Sequence, residues 1–387
     1  MQQVLSGIRV IEQGTFITGP CAGLMLADLG ADVIKVESRD GDPYRAYHGG
    51  NFSPHFQAYN RNKRSIALDL KDEADGVVFN QLAVEADVYI QNFRPGTASR
   101  LGAGAAHLQK INPRLVYCSI SGFGANGPYA DRPAYDSVAQ AVSGFLSVIV
   151  DHDRPRFLGP ALADAITGIY AAYGVLGALV ERSRTNVGRH VEVSMLEAMA
   201  HFAIEPFAAY FALGVTPQSS DRPRLAQAYI LRTADQRHIA IHLSSIEKFW
   251  QNLTTAIGEE WLMSDARFAS RLARIDHFEE LGKELDSLFS RHSLEVLCAR
   301  LEQHDVPFAP INRIDDVLED PQVRHLGLIV PTHAVEGAQF AVRPPLQFDG
   351  QRADVIAPPP RLNEHGNFIR SALLESTRWP AAPPHAS

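Results

Sequence analysis

Residues 8–37 decide the fold; they read IRVIEQGTFITGPCAGLMLADLGADVIKVE. The apolar run Ile8–Glu12 predicts a short buried strand, and Gly19–Leu29 predicts a helix with Pro20 in its first turn. Ala31–Glu37 (ADVIKVE) predicts a second strand. A strand, a helix and a strand in this order indicate a parallel sheet.

The alternation of strands and helices continues for about the first 125 residues, which predicts a doubly wound α/β domain. A long helix follows that is apolar on nearly all sides and should be buried. Its three interior glycines, Gly168, Gly174 and Gly177, each cost about 1 kcal/mol of helix propensity relative to alanine, so we expect them to pack closely against another backbone. The predicted elements after Glu37 are the strands Ser65–Leu70, Val88–Asn92, Leu115–Ser121 and His190–Ser194, and the helices Glu73–Glu85, Ala161–Arg184 and Met195–Leu213.

A change of composition after residue 213 indicates a second, smaller domain. Gly214–Arg224 (GVTPQSSDRPR) is a linker by composition, and charged amphipathic helices follow it. At the other end of the chain, the residues from Arg370 onward predict a frayed tail. The predicted elements of the smaller domain are the strand Ile239–Leu243 and the helices Ser245–Ile257, Phe278–Arg291 and Leu294–His304.

Composition narrows the class of protein. The chain has 387 residues, 45% of them hydrophobic, and a formal net charge of −8, which excludes a generally basic protein that coats nucleic acid. Its three cysteines are far apart without a CxxC pair, which excludes a zinc ribbon or a disulfide scaffold and fits a reducing compartment. The start of the sequence lacks a basic segment before an apolar stretch, so we expect no secretory signal, and the longest nearly apolar stretch, Ala165–Val180, is shorter than the ~20 residues expected of a membrane span. We expect a cytoplasmic enzyme with no metal.

A literal GxGxxG motif, Gly122–Gly127, follows a predicted strand. Dinucleotide binding needs such a loop to open a helix, but Pro128, Tyr129 and Asp131–Pro133 give turn chemistry instead. Glu37, the acid at the end of the second strand, belongs to a different strand–helix unit. We therefore expect these glycines to shape a loop at the carboxyl edge of the sheet, and a nicotinamide enzyme stays as an alternative.

Asp164 stands at the first turn of the most apolar helix in the chain. It has two interpretations. The structural one is a cap for the free N–H groups of the helix, worth roughly 0.3–1 kcal/mol. The functional one is a nucleophile that the helix dipole keeps ionised and that apolar neighbours deprive of water. Two groups of cations on loops offer contacts for phosphates or a solvated surface: Arg61, Lys63, Arg64 and Lys71, and Arg94 and Arg100.

Seven segments in order resemble the class III coenzyme A transferases, typified by formyl-CoA:oxalate and carnitine CoA-transferases. The likeness runs from Leu5 to about Asn363. The segments are Leu5–Glu12 (LSGIRVIE), Leu26–Glu37 (LADLGADVIKVE), Asn62–Lys71 (NKRSIALDLK), Ala86–Gly96 (ADVYIQNFRPG), Ser119–Gly124 (SISGFG) with Gly127–Tyr129 (GPY), Arg132–Asp136 (RPAYD) and Gly159–Asp164 (GPALAD).

The resemblance implies a fold and an assembly. It implies a large Rossmann-like domain built from both termini (1–213 and 325–387), a smaller inserted α+β domain (214–324 with linkers), and a homodimer of interlocked chains. It implies no tightly bound cofactor, because coenzyme A and acyl-CoA are substrates. Neither nucleic acid nor a membrane is expected as a partner.

The resemblance also implies a site. The aspartate nucleophile of the family falls on Asp164, and the glutamine that lies beside the active site falls on Ile17 or Phe16. The glycine-rich lid of oxalate-specific members has no counterpart between Gly214 and Ile241, which argues against oxalate. The positions implied to contact coenzyme A are Arg39, Leu68, Lys71, Asn92, Phe93, Arg100 and Tyr135.

The implied mechanism passes through a mixed aspartyl anhydride and an aspartyl-CoA thioester. The related α-methylacyl-CoA racemases, which invert a carbon by proton transfer, are the alternative. Their histidine falls where this chain has Tyr135, and tyrosine, with an ordinary pKa of ~10, is a poor base at neutral pH. A non-catalytic CoA-binding protein is a further alternative. Succinyl-CoA and a small dicarboxylate are the expected substrates, with Arg154 and Arg156 as candidate ligands for a distal carboxylate or as surface residues.

Overall fold

The computed structural model describes residues 3–157, 159–244, 247–332, 334, 337–352, 356–376 and 378–381. They form two compact units, one of residues 1–146, 157–207 and 325–387 and one of residues 147–156 and 208–324. The domain limits given above stay an expectation. The strands are β1 (Arg9–Gln13), β2 (Asp32–Glu37), β3 (Lys63–Ala67), β4 (Val88–Gln91), β5 (Val116–Ser121), β6 (His190–Ser194), β7 (Ala228–Arg232), β8 (His238–His242), β9 (Phe308–Pro310), β10 (Ile329–Pro331) and β11 (Phe340–Val342). The α-helices are α1 (Thr18–Asp28), α2 (Pro54–Asn60), α3 (Glu73–Glu85), α4 (Thr97–Arg100), α5 (Ala105–Ile111), α6 (Asp136–Val142), α7 (Leu162–Thr185), α8 (Met195–Phe202), α9 (Ile204–Leu213), α10 (Asp221–Ala226), α11 (Lys248–Ile257), α12 (Arg271–Asp276), α13 (Phe278–Phe289), α14 (Leu294–Gln303), α15 (Ile314–Glu319), α16 (Pro321–Leu326) and α17 (Gly366–Ser376).

The first unit contains a six-stranded sheet in the order β3-β2-β1-β4-β5-β6, and every pair is parallel. The α/β class and the parallel sheet are therefore confirmed. This is the doubly wound order, in which the strand sequence reverses between β1 and β4. The loops after these two strands thus lie at the point where such sheets bind ligands.

The sheet is covered on both faces, because successive side chains of a strand point to opposite sides. Val10 packs on one face with α1 and α7, whereas its neighbour Ile11 packs on the other with α3, α5 and α17. Burial on both faces explains why successive residues of the central strands β1 and β4 are buried, whereas burial alternates along the edge strand β6.

The long helix α7 lies on the sheet beside α1, and two of its glycines allow the contact. A Cβ on Gly168 would stand 2.6 Å from Cys21 Cβ, and one on Gly174 would stand 2.7 Å from Val191 Cγ1. For Gly168 the expected close packing is confirmed, since the Thr18 carbonyl oxygen would also lie at 2.9 Å. A Cβ on Gly177 would meet nothing within 4 Å, so the expected close packing at Gly177 is wrong within this chain.

Burial of α7 is one-sided, in contrast to the prediction. Its inner residues belong to the core, but Ile169, Tyr173 and Val180 are more than half exposed. By length and hydropathy α7 would be long enough to cross a membrane, yet its inner side is packed on the sheet. The exposed stripe is therefore a surface of a core helix.

The second unit has a three-stranded antiparallel sheet, β7-β8-β9, packed with α11, α13 and α14. The three helices expected here are present. Their bounds are shorter than predicted, and residues 245 and 246, where the first was expected to begin, lie outside the described part of the chain. Trp250 is fully buried at the centre of this core.

Two predictions near the ends of elements are wrong. Residues 370–376 belong to α17, whose Ile369 and Leu373 are buried against the α3 face of the sheet, so this part of the expected tail is not frayed; residues 377 and 382–387 lie outside the described part of the chain. The predicted helix Met195–Leu213 is two helices, α8 and α9, which separate at Ala203. Pro206 has no N–H and its ring clashes with the preceding turn, which explains the break.

Candidate active site

Asp164 occupies the first turn of α7, but another aspartate caps that helix. Asp136 Oδ1 accepts hydrogen bonds from the backbone nitrogens of Ala163 (2.7 Å) and Asp164 (3.2 Å). Gln140 Nε2 donates to the second oxygen of Asp136 at 2.6 Å. The interpretation of Asp164 as the cap is therefore wrong, and its carboxylate is available for another role.

The carboxylate of Asp164 is half-buried and accepts no hydrogen bond from the described residues. Burial raises its pKa to about 7, and the negative charge of Asp136 adds to the effect. The helix dipole does not keep Asp164 ionised as expected, because the first N–H groups of α7 donate to Asp136. The group changes charge near neutral pH.

The surroundings of Asp164 are apolar, aromatic and neutral. Tyr44 is buried in a cluster that also holds Ile17, Cys21, Phe16, Tyr59 and Ala161. Burial raises the pKa of Cys21 to about 11 and that of Tyr44 to about 12, and the charge of Asp164 contributes to both shifts. These groups therefore stay protonated at neutral pH. Sequence reasoning missed them and Asp136, although Asp136 closes the quoted RPAYD segment.

The loop between β1 and α1 is held by buried side chains. The backbone nitrogen of Gly14 donates to Glu12 Oε1 (2.6 Å), that of Thr15 to Asn92 Oδ1 (2.9 Å), and that of Phe16 to Asp42 Oδ1 (3.0 Å). Three successive donors are thus committed within the protein. Phe16 adopts a positive φ of 59°, a conformation that these bonds maintain.

A buried charge network lies beneath that loop. Lys35 Nζ lies 3.3 Å from Glu12 Oε1 and 3.1 Å from Asp42 Oδ2, and Lys63 Nζ lies 2.9 Å from Glu12 Oε2. Burial lowers the pKa of Lys63 to about 8, whereas the carboxylates around Lys35 outweigh its burial and raise its pKa. Two cations thus face two anions out of water, and one of those anions positions Phe16.

The end of β2 and the loop after β3 bring together three of the positions implied to contact coenzyme A. Arg39 is largely exposed and lies 3.5 Å from Asp75 Oδ2. Lys71 is exposed in the loop after β3. Leu68 is 3% exposed and packs in the core of the sheet, so this position offers little surface to a ligand. Arg370 of α17 also reaches Asp75, at 2.7 Å.

The loops after β4 and β5 carry the other four positions. Asn92 Nδ2 donates to the carbonyl of Thr15, which ties the two loops of the switch point together. Phe93 lines a cavity of about 260 Å³ at the ends of β4 and β5. Arg100 is exposed on α4, and Tyr135, 62% exposed, packs edge-on against the Phe16 ring.

Three of the four cations in the first basic group are not available to phosphates. Arg61 pairs with Asp28 (2.5 Å), Arg64 with Asp32 (2.6 Å), and Lys63 is buried on Glu12. Their charges are neutralised inside the protein. Of the four cations predicted there, Lys71 has no ion pair within the residues that the structure covers.

The GxGxxG segment does not open a helix. β5 ends at Ser121, and the next α-helix, α6, begins at Asp136. A Cβ on Gly122 would lie 2.3 Å from Ala134 Cβ, so this glycine allows the chain to fold back just before Asp136. The loop thus shapes the carboxyl edge of the sheet. Across the described ranges, no three His, Cys, Asp or Glu side chains stand together as metal ligands would.

Comparison with known proteins agrees with this geometry. The family model described as CoA-transferase family III matches residues 5–366. A protein of Agrobacterium fabrum named succinate–glutarate CoA-transferase is 35% identical over 97% of this chain and 98% of its own length. The mouse succinyl-CoA:glutarate CoA-transferase is 30% identical over 96% of this chain and 86% of its own.

A solved structure agrees as well. The crystal structure of a CAIB/BAIF family protein from Brucella suis matches with a TM-score of 0.87 at 34% identity, covering 96% of this chain and all of that one. The chain belongs to CoA-transferase family III. It is an enzyme that transfers coenzyme A between acids, so CoA thioesters are its substrates.

Proposed function

We propose that Asp164 is the nucleophile that carries the acyl group and then coenzyme A during transfer. The observation that carries this proposal is a carboxylate on the first turn of a core helix, with no hydrogen-bonded partner among the described residues and apolar and aromatic neighbours. A desolvated carboxylate is a stronger nucleophile than a hydrated one. Its pKa of about 7 leaves a large ionised fraction at neutral pH.

The proposed reaction needs no ATP. Asp164 attacks the thioester carbonyl carbon of the donor, and the C–S bond breaks. CoA departs as the thiolate, and an aspartyl anhydride forms on the enzyme. The thiolate attacks the aspartyl carbonyl, which releases the donor acid and forms an aspartyl-CoA thioester. The acceptor carboxylate attacks that carbonyl and expels the thiolate, which leaves an anhydride between Asp164 and the acceptor. The thiolate then attacks the acceptor carbonyl of this anhydride and forms the new acyl-CoA. Asp164 is regenerated as a carboxylate, and each intermediate must be shielded from water.

For substrates, we propose succinyl-CoA as the donor and a small dicarboxylic acid as the acceptor. The name of the bacterial relative pairs succinate with glutarate, and that of the mouse relative pairs succinyl-CoA with glutarate. The nucleotide of coenzyme A is anionic, and three exposed cations lie in the segments that follow the strands: Arg39 and Lys71 on loops and Arg100 on α4. We propose these three, with Leu68, Asn92, Phe93 and Tyr135, as its binding positions.

We also propose a homodimer, with interlocked chains, in the cytoplasm. The exposed stripe of α7 supports a partner: Ile169, Tyr173 and Val180 lie on it with Gly177 between them. Large apolar side chains in a row mark a contact surface. Gly177, which packs on nothing within its chain, would let a partner's backbone approach.

Gly177→Leu is expected to shift the sedimentation coefficient toward that of a monomer, and an unchanged dimer would contradict this contact.

Trapping the covalent intermediate tests the mechanism. Enzyme is incubated with succinyl-CoA and hydroxylamine, and the hydroxamate is located by mass spectrometry. We expect the label on Asp164 and none in Asp164→Ala, which should also lose transfer. A label on another residue, or transfer that survives Asp164→Ala, would refute the assignment. If succinyl-CoA analogues exchanged an α-hydrogen with solvent without transfer, a racemase would be indicated instead.

A further inference from the structure

Two histidines and two tyrosines form an aromatic cluster, here named the His48–His55 cluster, between β2 and α2. The rings of Tyr47 and His55 are 5.1 Å apart, those of Tyr44 and His55 5.6 Å, and those of His48 and His55 6.1 Å. His48, His55 and Tyr47 are exposed, whereas Tyr44 is buried. The cluster therefore presents two imidazoles and a phenol to solvent on a fixed base.

That base belongs to the surroundings of Asp164. Tyr44 packs on Phe16 with ring centroids 5.7 Å apart and shares a buried cluster with Cys21 and Ala161. The charge of Asp164 acts on the hydroxyl groups of both Tyr44 and Tyr59. Tyr44 thus feels the charge of the proposed nucleophile and also contacts the rings of Tyr47 and His55.

The other cations of this region are already committed. Arg45 donates to Glu37 through two nitrogens at 2.7 Å, and Lys35 and Lys63 are buried in the network with Glu12. Among the groups that the structure describes, the charge that acts on Asp164 is that of Asp136, and it is negative. A second carboxylate on a substrate needs a donor or a positive charge when it leaves water. The two imidazoles can provide both.

We propose that His48 and His55, with the hydroxyl of Tyr47, bind the distal carboxylate of a dicarboxylic substrate whose other carboxylate reacts at Asp164. Rings 6.1 Å apart are close enough for both to donate to one carboxylate group. A protonated imidazole makes the charge-assisted hydrogen bond that such an anion requires. The proposal rests on the proposed function, since it names the residues that select the acid.

The test compares acids that differ in one carboxylate. Initial rates are measured with glutarate and with valerate as acceptors, for the wild type and for the double variant His48→Gln/His55→Gln. We expect kcat/KM for glutarate to fall about tenfold or more, mainly through KM, because a charged hydrogen-bonded contact is lost. We expect kcat/KM for valerate to be unchanged. His107→Gln, an exposed histidine of α5, is the matched control and should change neither value.

Equal losses with glutarate and valerate, or no loss with either, would overturn the proposal. A loss of glutarate selectivity in Arg154→Gln/Arg156→Gln in place of the histidine variant would assign the distal carboxylate to those arginines and would also overturn it. The acyl-enzyme on Asp164 is measured in the same samples. If the wild type forms no acyl-enzyme, the proposed mechanism fails; if it forms and selectivity is unchanged in the histidine variant, the histidine subsite alone fails.

Discussion

Asp136 Oδ1 accepts the hydrogen bond of the Asp164 backbone nitrogen at 3.2 Å, and so places two carboxylates at the start of one helix. Asp136 satisfies the N–H groups that would otherwise stabilise a negative charge on Asp164. Its own charge then opposes ionisation of its neighbour. Asp136 thus caps the helix that carries the proposed nucleophile and adds to the rise in its pKa that burial causes.

The first prediction concerns pH. Because Asp164 must be ionised to attack and its pKa is raised to about 7, kcat/KM for the acyl-CoA donor should rise with pH below 7 and level off above it. Asp136→Asn keeps an oxygen that can accept from α7 but removes the charge. The midpoint should then move down by about one pH unit. A profile that is flat from pH 5 to 8 in the wild type would contradict the raised pKa.

The second prediction concerns stability. The pKa of Asp164 is higher in the folded chain than its ordinary value, so the charge costs stability as pH rises through about 7. Asp164→Asn should therefore raise the free energy of unfolding at pH 8 by about 2 kcal/mol, a value reduced for partial exposure, while it abolishes transfer. The gain should vanish near pH 4. Denaturant titration at the two pH values measures it, and equal gains at both would disprove the electrostatic cause.

The third prediction concerns the contact of α7 with α1. Gly168→Ala places a Cβ 2.6 Å from Cys21 Cβ and 2.9 Å from the carbonyl oxygen of Thr18, so we expect a loss of about 1–3 kcal/mol. Gly76→Ala in α3 is the matched control, because its Cβ meets nothing within 4 Å. There the better helix propensity should stabilise the protein by up to about 1 kcal/mol. Thermal unfolding compares the two, and a neutral Gly168→Ala would show that the helices can move apart freely.

The fourth prediction concerns the C-terminal helix. Leu373, on the inner side of α17, is 1% exposed, whereas its neighbour Leu374 is 84% exposed. Leu373→Ala should lower the free energy of unfolding by about 2–4 kcal/mol, because it leaves a cavity against the sheet. Leu374→Ala should change it by less than about 0.5 kcal/mol. Similar effects of the two substitutions on chemical denaturation would mean that α17 is not part of the folded core.

The fold class and the order of most elements can be predicted from the amino-acid sequence. Apolar runs such as Ile8–Glu12, spaced by helices with clear ends, admit few arrangements other than a parallel sheet. Gly168 signalled a close contact because its cost to the helix needs compensation. The ordered motifs indicated the family and pointed to Asp164. These features are local in the chain, which is why a single sequence reveals them.

The partners of each side chain in the site depend on the folded arrangement of the chain. Asp136 and Asp164 are 28 residues apart, and the capping bond between them depends on the fold. Arg61 resembled a phosphate ligand until the fold paired it with Asp28. Residues 370–376 look like part of a tail because their apolar stripe is short, and packing of Leu373 against the sheet stabilises them as a helix. Charge pairing, burial and pKa depend on neighbours that are distant in sequence, so the pattern of residues along the chain does not contain them.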